Sequence, residues 1–125
     1  MDFEGLKGKI LAAVELGSDN DKVLFTLDNE KQYKLYHSQD CCESVEVESV
    51  VGDLADLIGS PLLQAEEVSS SDEWPTDAPK AYEPESYTWT FYKLATIKGS
   101  VTIRWYGSSN GYYSESVSFA ESEAA

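Results

Sequence analysis

Apolar and polar residues alternate with a period of two along much of this chain, the pattern of strands that bury one face. Residues 9–16 read as a first strand, with Ile10, Ala12 and Val14 on one side. Gly17 to Asp21 is a turn by composition. Val23, Phe25 and Leu27 then share one face of a second strand. Asp28, Asn29 and Glu30 form a tight connection to a third, residues 32–37, which alternates through Tyr33, Leu35 and His37. These three segments predict a meander.

After a polar stretch, residues 44–50 resume the alternation, with Val45 and Val47 opposite Glu46 and Glu48. Residues 53–58 make the best helix candidate: Asp53 can cap it, Leu54, Leu57 and Ile58 fall on one face, and Gly59 and Pro61 end it. Residues 62–68, 87–95 and 101–106 read as further strands. Gly107 to Gly111 suits a hairpin turn, because Asn-Gly tolerates the positive φ such turns need, and residues 112–119 return from it. Residues 69–86 are an acidic, Pro- and Ser-rich loop in which Trp74 pins the segment to the body, and residues 121–125 are expected to fray. The expected fold is a single α+β domain over residues 1–125. It is mainly antiparallel β, with about seven to eight strands and one short helix near residues 53–58.

Composition supports this reading. Eight Tyr, four Phe and three Trp in 125 residues favour strands, and the length suffices for one hydrophobic core. Charge adds a functional constraint. Twenty-three Asp and Glu oppose nine Lys and Arg, for a net charge of −14, and no Lys or Arg lies between Lys34 and Lys80. Such a chain repels nucleic acid and anionic membranes and steers basic partners toward itself. The carboxylates expected to meet a partner are Glu43, Glu46, Glu48, Asp53, Asp56, Glu66 and Glu67. No apolar run approaches the ~20 residues of a membrane span. The N-terminus has no basic region followed by an apolar run, so a cytoplasmic protein is expected.

The only His and the only two Cys fall within residues 37–42. Imidazole and thiolate are ligands that zinc prefers, and His37, Asp40, Cys41 and Cys42 could surround one ion. Consecutive side chains point opposite ways on an extended backbone, so this needs a bulge or turn at residues 40–42. The same residues also fit ordinary structure, with one Cys buried, one half-exposed and His37 hydrogen-bonded at a strand end. Neighbouring cysteines rarely bond to each other, which leaves free thiols or metal ligands. A Cys–His nucleophile pair is disfavoured, because Asp40, Glu43, Glu46 and Glu48 would raise a thiol's pKa. Among the adjacent aromatics, Trp105 and one of Tyr112 and Tyr113 are expected in the core, and the outward members are a second possible contact surface.

Four segments carry a resemblance that runs from about Lys7 to Phe119: HSQDCCE (37–43), GDLADLIG (52–59), TFYKLAT (90–96) and SNGYYSES (109–116). The chain resembles a family of small acidic proteins encoded by phages and prophages, which includes anti-CRISPR inhibitors. The resemblance implies a stoichiometric, non-enzymatic inhibitor with a structural zinc, acting on a Cas9-type nuclease in the bacterial cytoplasm as a monomer or dimer. The basic channels of such a nuclease suit a partner of this charge. The alternatives are a small metal-dependent hydrolase built on the His/Asp/Cys/Cys cluster and a phage structural or interaction protein.

Overall fold

In the computed structural model, which describes residues 2–70, 74–75 and 85–122, the alternation becomes two packed sheets. Strand β1 (Leu11–Leu16) pairs with β2 (Lys22–Leu27), and β2 pairs with β3 (Gln32–Tyr36). Val23 lies opposite Leu35 and Phe25 opposite Tyr33, and all four side chains are buried. These cross-strand pairs set the register of the predicted meander. A bulge between Leu11 and Ala13 alters the expectation for β1. It turns Leu11 inward, fully buried, and Val14 packs against the same core, so Ile10, Ala12 and Val14 do not form the inner row.

The second sheet contains β4 (Ser44–Val51), β5 (Gln64–Ser70), β6 (Ser86–Thr96) and β7 (Gly99–Ser109). Its spatial order is β4-β7-β6-β5, and the first sheet runs β1-β2-β3-β8, where β8 is Ser118–Ser122. Every strand pairing is antiparallel. Tyr92, Leu94, Val101, Ile103 and Trp105 fill the interior against Val23, Phe25 and Leu35. The fold is therefore mainly β, with eight strands among the described residues.

Three expectations change. The helix at residues 53–58 is a single 3-10 turn, Leu54–Leu57, in which Asp53 accepts from the Ala55 N–H at 3.0 Å. Ile58 is already extended and bridges Leu11. With Pro61 bridging Ile10, this segment covers the outer edge of β1 instead of continuing a helix. This removes the α component of the expected α+β class, since the described residues hold only 3-10 turns. The hairpin at residues 107–111 is also absent: β7 runs on to Ser109, and the following chain crosses to the first sheet as β8. Finally, Glu121 and Ser122 are not a loose tail, because they pair with Tyr33 and Gln32. Residues 123–125 and most of the acidic loop lie outside the described residues.

One element carried no sequence signal. A 3-10 turn, Phe3–Leu6, inserts Phe3 and Leu6 into the core. The Phe3 ring meets Tyr92 of the second sheet at 4.7 Å, and Phe25 and Phe119 of the first at 6.0 and 5.6 Å. These edge-on contacts join the sheets along one side.

Gly52 ends β4 with φ at +110°, and a Cβ there would lie 2.5 Å from the Ser100 carbonyl oxygen. Gly52→Ala is expected to cost roughly 1–3 kcal/mol in urea unfolding. Gly8→Ala shares the positive φ but meets nothing within 4 Å, so it should cost only about 1 kcal/mol.

Candidate functional site

The chain passes between the sheets twice among the described residues, from β3 to β4 and from β7 to β8. The rare residues noted in the sequence sit at the first passage. His37 follows the last residue of β3, and Glu43 immediately precedes β4. The His37 Nε2 lies 2.7 Å from a Glu43 carboxylate oxygen, and its Nδ1 lies 2.6 Å from the Ser116 carbonyl oxygen in the second passage. One imidazole ring thus bridges both passages.

Glu43 also organises its own loop. Its carboxylate accepts from the Asp40 and Cys41 backbone N–H groups, each at 2.9 Å. Gln39 donates to the Glu43 carbonyl at 2.7 Å. The His37 bond, followed by the Cys41 N–H, holds the Glu43 carboxyl down from the usual 4.5 to about 2, and burial opposes this without prevailing. Glu43 is thus no part of an acidic outer face. Its side chain is fully covered, which corrects its expected role as a partner contact.

The bend that Glu43 imposes at residues 40–42 brings consecutive side chains to one side. Cys41 and Cys42 are joined there as a disulfide, against the expectation of separate thiols, and both are exposed. The four residues expected to hold zinc all lie in or beside this loop. The sulfurs are bonded to each other, and both His37 nitrogens are engaged by Ser116 and Glu43. Asp40 is exposed. Among the described residues no group of three or more His, Cys, Asp and Glu is placed to hold a metal.

The second passage is fixed by a buried carboxylate that the sequence reading missed. Glu115 accepts from Thr88 Oγ1 at 2.8 Å and from Ser109 Oγ at 2.6 Å. Gly107 leaves the room it needs, since a Cβ there would lie 2.9 Å from Glu115. Nothing in the pattern around Glu115 distinguished it from the exposed acids.

The remaining carboxylates are dispersed. Glu46 and Glu48 are on β4, Glu66 and Glu67 on β5, and these strands are opposite edges of the second sheet. Glu48 pairs with Arg104 at 2.6 Å, and Glu66 lies opposite Lys93. Asp53 caps the 3-10 turn and Asp56 lies within it. Glu46, Asp53, Glu66 and Glu67 are exposed.

Between those edges the outer face is aromatic. Trp74 packs on Tyr87, Trp89 and Tyr106 at 5.0–5.4 Å, and the Arg104 guanidinium lies 5.2 Å from the Trp89 ring. Trp74 itself packs against the body, while most of the segment around it lies outside the described residues. Trp105 is fully buried, and Tyr112 stands outward, 82% exposed.

Among the described residues no helix is long and apolar enough to cross a membrane. A family model described as a domain of unknown function (DUF7448) matches residues 4–119, so the chain belongs to that family. No curated protein and no solved structure matches it.

Because its folded pKa is depressed, Glu43 contributes stability that is present above about pH 4.5 and is lost as pH falls toward about 2. Urea unfolding midpoints measured across that window are expected to fall steeply in the native protein. Glu43→Gln should be less stable at neutral pH and should show a flatter acid limb.

Proposed function

We propose that this DUF7448 protein is a stoichiometric, non-enzymatic binder that occupies a basic surface on a protein partner and excludes that surface from its own ligands. The observation that carries the reading is where the cation-free stretch falls in the fold. The chain between Lys34 and Lys80, which lacks Lys and Arg, supplies β4 and β5, the two edges of one sheet. Exposed carboxylates flank that sheet on both sides, at Glu46 and Asp53 beside β4 and at Glu66 and Glu67 on β5. The few cations nearby, Arg104 and Lys93, come from the inner strands and face acids already present. Charge of this kind raises association rates with basic proteins and imposes salt dependence.

A nucleic-acid-handling protein with an open basic channel is the partner class that fits, and a Cas9-type nuclease is the first to test. Binding is to be measured across a salt series with two double charge reversals. One carries Glu46→Lys with Asp53→Lys, the other Glu66→Lys with Glu67→Lys. At least one is expected to weaken binding by about tenfold or more and to flatten its salt dependence. If both retain native affinity and salt slope, the electrostatic reading is wrong.

A further inference from the structure

Cys41 and Cys42 are bonded to each other at the first passage, and both are exposed. A disulfide that staples a fold joins segments far apart in sequence, because what it removes is the freedom of the chain it encloses. This one joins immediate neighbours and encloses a single peptide bond, so it restricts the unfolded chain very little. It ties no strand to another. The loop does not depend on it either. Glu43 takes the Asp40 and Cys41 N–H groups at 2.9 Å, and Gln39 donates to the Cys41 and Glu43 carbonyls at 3.3 and 2.7 Å. None of these bonds uses sulfur. The bend therefore has its own support whether the sulfurs are joined or not, and it presents both of them to solvent.

We infer that Cys41 and Cys42 form a thiol-exchange site, which passes between disulfide and dithiol by reaction with small thiols while its loop stays in place. Exposed disulfides are the labile ones, and this one has no stapling role to set against that. The thiolate of the incoming molecule bonds to one Sγ, the sulfur–sulfur bond breaks, and the other Sγ leaves as a thiolate that takes a proton from water. A second thiol then attacks the incoming molecule's own sulfur in this mixed disulfide and releases the remaining cysteine. Two electrons pass to the pair, and the two small thiols leave as one disulfide. In the reverse direction a small-molecule disulfide is the oxidant, and the neighbouring thiol displaces the adduct because it is already within reach. Asp40, next in the chain to Cys41, is exposed and the protein carries −14, so thiols without negative charge are the favoured substrates. This inference does not rest on the binding function proposed above.

The test uses the intact protein in glutathione mixtures that run from fully oxidised to fully reduced. Free thiols are alkylated and counted by mass spectrometry. The native protein is expected to move between no free thiols and two, in both directions. Cys41→Ser and Cys42→Ser should each retain at least about tenfold more glutathione adduct than the native protein, because neither has a neighbour to displace it. Reduction should shift the amides of residues 38–44 alone and lower the melting temperature by less than about 3 °C. Opening by mercaptoethanesulfonate should quicken as salt is added, and opening by cysteamine at equal thiolate concentration should not. A pair that opens only on unfolding, or whose reduction lowers the melting temperature further than that, is a structural bond and overturns the inference. Thiols that stay apart in oxidised glutathione, or that carry adducts without closing, overturn it as well. Equal salt dependence for the two reagents removes the substrate preference.

Discussion

A chain that leaves one sheet for another must satisfy, in each passage, the backbone groups that a ladder would otherwise have paired. Here one carboxylate does this for the first passage, taking the Asp40 and Cys41 N–H groups. Through His37 it also reaches the Ser116 carbonyl in the second. Glu115 completes the second passage from the opposite side by accepting from Thr88 and Ser109. These two buried acids hold the passages that lead into β4 and β8. Among the described residues of a protein with 23 carboxylates, two serve as internal fasteners and most of the others are exposed.

The cations are used just as sparingly. Arg104 pairs with Glu48 and lies over Trp89, and Lys98 donates to the Ile58 carbonyl at 2.7 Å. Lys34 sits 4.5 Å from the Tyr36 ring. Each of these positive charges has a local role, so the negative excess is left to the surface, where it acts on whatever approaches. The same distribution keeps the acids from forming a single patch, because β4 and β5 lie on opposite sides of the sheet. A partner of high positive charge would meet one edge or the other.

Strand positions were legible because alternation is a local property. Val23, Phe25, Leu27, Tyr33 and Leu35 read as inward from spacing alone, and they are. Sequence reading failed where the deciding contact was distant. Leu54, Leu57 and Ile58 have helical spacing, but Ile58 is claimed by Leu11. Asn110-Gly111 has turn chemistry, but the next strand finds Leu35 and Tyr36 instead of β7. Phe3 sits in a short polar stretch, and only the folded neighbours reveal its burial. At the site, the clustering of His37 with the two cysteines is legible in the sequence, where it fits a zinc site and ordinary structure alike. The organiser is Glu43, which in sequence looks like any other acid on the margin of an acidic strand.

The pairing of β3 with β8, together with the contact of Phe3 with Phe119, joins segments from near opposite ends of the described chain. Until those segments meet, the first sheet is a three-stranded meander with one edge open and the Tyr33 face half covered. Closing so long a loop costs entropy before any contact repays it. Local hairpins, above all β6 with β7, can form early, whereas closure of the first sheet belongs to the late part of folding. Any form in which β8 has not yet docked would leave the β3 edge bare, and mutual repulsion between copies at −14 would keep such edges from finding one another. The acidity that serves an encounter with a partner would then also protect the protein while it is being made.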